Sequence, residues 1–241
     1  MNQTIETEVL TRDWLLSVLR PLPPDPVAVL DIDSTIMDTA PRNRAILTAA
    51  ESRFPALRPV IPLMSQTDLG WGAADTAARR AGLSPDQKQE LRRFWAEGFF
   101  SNDWLSYDEP YPGVGEFLRR LHGQAFHLVY LTGRDRPNMA DGTLASFTRH
   151  KLPVGTGTTF LFKPDAADDD IAFKRSAVPA IRELGTPVLA IDNEPGNANT
   201  FRHGFSDALI LLIDTITSPN PEPLAPGIHR FRTYPSPGRP T

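Results

Sequence analysis

Apolar residues along this chain come in two patterns. Short continuous runs occupy 27–30 (VAVL), 126–131 (FHLVYL), 158–162 (TTFLF), 188–191 (VLAI) and 208–213 (ALILLI). Runs of that length and composition predict buried strands. Between them, apolar positions recur every three or four residues, which predicts helices over 11–20, 42–54, 69–81, 84–100, 114–122, 138–151, 177–184 and 196–203. In the first of these Trp14, Leu15, Val18 and Leu19 share a face, and the prolines at 21, 23, 24 and 26 end it. Ser84 followed by Pro85 is a helix start with a cap and a first-turn proline.

Strands alternating with helices predict a doubly wound, Rossmann-like parallel sheet, an α/β fold. The first two strands are separated by nearly ninety mostly helical residues, far beyond an ordinary connection. The reading is therefore an α/β core formed by 1–36 and 112–218, with an all-helical cap over 37–111 inserted into it. Hinges are expected near 35–39 and 110–113. Residues 219–241 carry seven prolines and are expected to run along the surface without regular structure. The sequence has no internal repeat.

Polar residues at the strand ends change the picture. Asp31 and Asp33 follow the first strand, at the edge where open α/β sheets bind ligands. Two residues apart on an extended backbone, their carboxylates point to one side and repel unless a cation lies between them. Carboxylates and water suit Mg²⁺. Asp-x-Asp alone is common in turns and also holds metals in some sugar-nucleotide transferases, so the other strand ends must agree. The second strand ends in Leu131, Thr132, Gly133 and Arg134, which offer a hydroxyl, a backbone open to close approach and a guanidinium. The fourth ends in Asp192, Asn193 and Glu194; Asp192 is the third metal ligand, and Asn193, Glu194 and Asn197 suit an outer shell. Lys163 and Lys174 are the cations available to neutralise a phosphate. Lys174 is preferred, because Pro179 sets the next helix start at Ser176 or Ala177 and leaves Lys174 at its mouth.

Composition excludes other chemistry. No cysteine is present, so thiolate catalysis and Cys-based zinc sites are ruled out, and the five histidines have no metal-binding spacing. A net charge of −4 argues against nucleic-acid binding through a basic surface. The first ten residues lack the pattern of a secretory signal, and no apolar run approaches a membrane span, so a cytoplasmic location is expected. Oligomeric state is not readable from the sequence.

The ordered set DIDST, LTGRD, an isolated lysine and IDNE resembles the four motifs of haloacid dehalogenase (HAD) superfamily phosphohydrolases, over residues 27 to about 218. Each motif is weak alone, but four in order at strand ends are specific. DIDSTIMDTAP and PYPGVGEFLRRL are similar to the segments by which members with a helical cap leave and re-enter the core. The resemblance implies a nucleophile at Asp31 and an aspartyl-phosphate intermediate. It implies a general acid and base at Asp33, and Thr132 and Lys174 around the phosphoryl group. Mg²⁺ would be held by Asp31, Asp192 and the Asp33 carbonyl. Ser34 departs from the family's usual glycine, and Asn193 from a second acid. An acid at Asp33 favours phosphate esters over carbon–halogen bonds, since a halide leaves unprotonated. Thr35, Gly133, Arg134 and Trp71 are expected to meet the substrate, a small phosphorylated metabolite. The alternatives are a phosphotransferase or phosphomutase on the same scaffold, and a catalytically silent phosphate-binding protein with the proline-rich tail as its interaction element.

Overall fold

In the computed structural model the backbone is described for residues 6–9, 19 and 21–235. The helix expected over 11–20 lies outside them except for Leu19. Among the described residues there are nine strands: β1 (Glu6–Val9), β2 (Pro26–Leu30), β3 (Met37–Asp38), β4 (Glu109–Pro110), β5 (His127–Asp135), β6 (Thr158–Lys163), β7 (Thr186–Asp192), β8 (Leu209–Ile213) and β9 (Ile228–Thr233). Seven form one sheet in the order β1-β9-β8-β7-β2-β5-β6, every pairing parallel.

The alternation of side chains along each strand divides the core into two layers. Ala28, Leu30, Leu128, Tyr130, Leu189 and Ile191 pack on one face. Val27, Val29, Val129, Leu131 and Ala190 pack on the other. All five residues of β2 are buried, as a central parallel strand covered on both faces requires. The chain runs from β2 outward to β5 and β6, then returns to β7 on the other flank of β2. That reversal opens a crevice at the carboxyl ends of β2 and β7.

Helices cover both faces: α4 (Val114–Gly123), α5 (Arg136–Arg149), α6 (Asp170–Ser176), α7 (Val178–Glu183) and α8 (Pro195–Gly204). Between β3 and β4 lie α1 (Ala40–Ala49), α2 (Ala73–Arg80), α3 (Pro85–Phe99) and several 3-10 turns. Ser84 caps α3 in a capping box with Gln87, and Pro85 occupies its first turn. This insertion has its own apolar cluster, in which Leu47, Phe54, Leu57, Leu69, Ala77 and Leu91 are buried. The chain enters and leaves it through a two-stranded antiparallel ribbon, Met37 against Pro110 and Asp38 against Glu109.

Two expectations need correction. Residues 219–241 are not uniformly irregular: β9 adds to the sheet beside β8, and Phe231 and Tyr234 are buried in the core. Its IHRFRT sequence carries buried Ile228 and Phe231 between charged residues, enough to seat a strand near the sheet edge. The helix expected to begin at Ser176 or Ala177 is instead two. Asp169 caps α6 by accepting the Ala172 N–H, so Lys174 lies within a helix, and Pro179 is accommodated in the first turn of α7.

Candidate functional site

Asp31 immediately follows β2, and its N–H extends the pairing with β7 by donating to the Ile191 carbonyl at 3.0 Å. Ser34 then takes a left-handed conformation, φ 58°, and the backbone turns back so that its N–H reaches the Met37 carbonyl at 2.7 Å. This is the turn for which glycine would be the unstrained choice. Gly133, after Thr132 in β5, lies so close to Asp170 that a Cβ there, 2.5 Å from Asp170 Oδ2, would require that side chain to move.

Lys174 joins the ends of two strands. Its Nζ donates to Asp31 Oδ1 and to Asp192 Oδ2, both at 2.7 Å, and all three residues are buried. Burial pushes the Asp31 carboxyl up to about 7, because Lys174 only partly offsets the desolvation and Asp192 adds to it. Burial also works against the Lys174 charge, but Asp192 and Asp31 outweigh it and hold the ammonium above its ordinary range. Asp192 Oδ1 accepts the Glu194 N–H at 2.8 Å and Asn197 Nδ2 at 3.2 Å.

Asp33 belongs to a second charged cluster. Arg134 donates to its Oδ1 from Nη2 at 2.7 Å and to its Oδ2 from Nε at 3.1 Å, and Arg42 Nη2 donates to Oδ1 at 2.8 Å. Burial raises the proton affinity of Asp33, yet the two guanidiniums overcome it and hold the carboxyl well below the usual carboxylate range. Behind them Asp108 accepts from Arg134 Nη2 at 2.6 Å, and its Oδ1 lies 3.0 Å from Arg42 Nε without hydrogen-bond alignment. Arg134 also donates to the Thr143 hydroxyl at 2.9 Å. The arginines come from the insertion and from β5, so Asp33 ties the two parts of the chain together.

A cavity of about 210 Å³ opens onto Asp31, Asp33, Gly133, Arg134 and Lys174. Its other wall comes from the insertion and includes Trp71, Trp95, Phe99 and Phe100. Trp71 reaches the core directly, its indole N–H donating to Glu194 Oε1 at 3.0 Å. Glu194 also accepts the Ser218 N–H and hydroxyl, each at 2.8 Å. Four sequence candidates do not line the cavity. Thr132 is buried, its hydroxyl accepting the Arg134 N–H at 3.2 Å. Thr35 donates to Asn193 Oδ1 at 3.2 Å, and Asp192 is reached only through Lys174. Lys163 is tied to Asp170 Oδ1 at 2.7 Å and to the Ala166 and Asp168 carbonyls, a structural role. Arg42 and Asp108 escaped the sequence reading, since neither lies in a motif and their partners are remote in the chain.

Among the described residues no three acidic or histidine side chains converge on one point. The Asp33 side chain is engaged by arginines, which leaves its backbone carbonyl, the atom the resemblance implies, as the group it could offer a metal. The remaining donors still suit Mg²⁺. They are hard oxygens from two carboxylates, with the rest of the sphere left to water and phosphate. Asn197 Oδ1, buried beside Asp192 with no protein partner, is a further hard oxygen at this place.

No family model matches the chain, and no curated protein does. Solved structures do. A putative phosphatase from Clostridium difficile is 10% identical and superimposes with a TM-score of 0.62, covering 86% of this chain and 94% of that one. A HAD-superfamily hydrolase of subfamily IA from Geobacter sulfurreducens is 14% identical, with a TM-score of 0.57 over 85% and 90% of the two chains. Protein Tyrosine Kinase A of Mycobacterium tuberculosis is likewise 14% identical at a TM-score of 0.57, over 88% and 95%. The chain has the α/β fold shared by these proteins. The likeness is one of fold, a parallel sheet covered by helices on both faces.

Proposed function

We propose that this protein is a Mg²⁺-dependent phosphomonoesterase that hydrolyses a small phosphorylated metabolite through an aspartyl-phosphate on Asp31. The observation that carries the reading is the Lys174 ammonium shared at 2.7 Å by Asp31 and Asp192, at the carboxyl edge of the sheet. An anionic nucleophile can approach a phosphate dianion only where fixed positive charge offsets their repulsion. Lys174 supplies part of that charge. Asp31, Asp192 and the Asp33 carbonyl would hold Mg²⁺, which when bound supplies further charge neutralisation and orients the phosphoryl oxygens.

In the first half-reaction an Asp31 carboxylate oxygen bonds to phosphorus as the phosphorus–oxygen bond to the alcohol breaks. Asp33 gives its proton to the departing oxygen. A phosphate docked beside Arg134 competes for that guanidinium and adds negative charge next to Asp33, and both effects raise its proton affinity on substrate binding. In the second half-reaction Asp33 takes a proton from water, the hydroxyl bonds to phosphorus, and the Asp31–phosphorus linkage breaks to release inorganic phosphate. The Gly133 backbone borders the cavity without a side chain to block a phosphoryl oxygen. The insertion serves as a cap over the site.

The test is hydrolysis of an aryl phosphate with and without Mg²⁺, comparing the wild type with Asp31→Asn. Activity that needs Mg²⁺ and vanishes in the variant supports the proposal; phosphate release surviving Asp31→Asn overturns the covalent route. Transfer to an added alcohol in preference to water would instead make the protein a phosphotransferase.

A further inference from the structure

We infer that the alcohol carried by the substrate is flat, apolar and uncharged, an aryl group stacked on Trp71, and not a small acid or second phosphate. The inference rests on the hydrolase reading above and adds the chemical class of the leaving group. Two observations lead to it.

The first is the wall facing the charged rim. Trp95 and Phe99 stack with centroids 4.8 Å apart, and Phe100 meets them edge-on at 6.2 and 5.1 Å. Met139 and Ile216 continue the apolar lining. Both indoles have their N–H groups satisfied by protein, Trp95 by Asn43 Oδ1 at 2.6 Å and Trp71 by Glu194. Their orientations are therefore set in advance, and neither asks for a polar ligand group. Trp71 is 61% exposed although bonded to the core, an unusual state for so large an apolar side chain. Such a ring beside a phosphate site is a stacking platform for another ring.

The second is the distribution of charge. The cavity is lined by four carboxylates, Asp31, Asp33, Asp170 and Glu194, and by only two cations, Arg134 and Lys174. Both cations are committed: Lys174 to Asp31 and Asp192, Arg134 to Asp33, Asp108 and Thr143. One phosphoryl group can draw on them together with a bound cation. A second anion on the alcohol would be desolvated against carboxylates with no cation left among the lining residues.

The experiment uses two phosphonates that cannot be hydrolysed, so binding is read apart from turnover. Affinities of benzylphosphonate and phosphonoacetate are measured by calorimetry in Mg²⁺ on the full chain. Benzylphosphonate is expected to bind at least tenfold more tightly, the order that stacking on one aromatic side chain provides. Trp71→Ala should close most of that gap, whereas Trp71→Phe, which keeps a ring but loses the bond to Glu194, should preserve it. Equal affinities, a preference for phosphonoacetate, or a preference untouched by Trp71→Ala would overturn the inference. Preferential benzylphosphonate binding by a protein that hydrolyses no ester would leave the pocket chemistry standing and reject the hydrolase. Hydrolysis faster on carboxylate-bearing esters than on aryl ones would reject the pocket chemistry alone.

Discussion

Arg134 holds Asp33 in a two-point grip, Nη2 on one carboxylate oxygen at 2.7 Å and Nε on the other at 3.1 Å. A planar fork matched to a carboxylate fixes direction as well as charge, which a lysine ammonium cannot do. Arg134→Lys should therefore lower kcat/KM by about 10- to 100-fold while some positive charge remains. With a poorer partner the Asp33 carboxyl moves upward and keeps its proton to higher pH, so the alkaline limb of the kcat/KM profile, which reports the proton-donating first step, should move to higher pH. A profile unchanged in position would show that Asp33 does not set that limb.

Asp108 is fully buried between Arg42 and Arg134. Replacing it with Asn leaves two buried guanidiniums facing the single carboxylate of Asp33. Removing one member of such a cluster typically costs about 3–5 kcal/mol, so thermal unfolding should fall by roughly ten degrees. The exposed pair Arg80–Asp68 is the control, since Arg80→Gln should cost less than about 1 kcal/mol.

Stability should depend on pH and Mg²⁺ together. The Asp31 carboxyl titrates near 7 in the fold against 3.8 for the free group, so between those values the native state binds more protons than the unfolded one. Stability of the metal-free protein from this group is thus present below about pH 4 and lost as pH rises towards 7. A cation competing with the proton should restore it, and more at pH 8 than at pH 5. Thermal scans with Mg²⁺ or with a chelator read this directly, and Asp31→Asn should flatten both dependences.

Ser34 gives a backbone test. At φ 58° it occupies a region that costs a residue with a Cβ about 1–3 kcal/mol. Ser34→Gly should leave stability within about 1 kcal/mol of wild type or raise it, because relief of strain opposes the entropy of glycine. Ser34→Val should lower it, since a branched side chain tolerates that conformation least. Urea denaturation of the two variants gives the comparison.

The interior of the fold was legible because burial on both faces leaves unbroken apolar runs, and β2, β5, β6, β7 and β8 all occur where such runs stand. Edge elements were not. Glu6–Val9 is half acidic, and β9 alternates apolar with basic residues in a segment whose prolines suggested irregular chain. Lys174 was selected for the right neighbourhood by a faulty route, because the Asp169 cap that starts its helix was overlooked beside the more conspicuous Pro179. Asp31 and Asp192 could be named from strand ends, since topology brings such ends together. The Arg42–Asp108 pairing could not, because it forms across the ribbon joining insertion to core and leaves no local periodicity.

The phenol of Tyr234 donates to the Thr35 carbonyl at 3.3 Å, while its ring packs on Phe117 and Phe231. A residue two hundred positions downstream thereby braces the hairpin that carries Asp31. During synthesis that brace can form only after β9 has left the ribosome, so a nascent chain stopped short of Tyr234 would lack one of the contacts that hold the Asp31 loop. The loop that bears Asp31 thus draws part of its support from a segment made some two hundred residues after it.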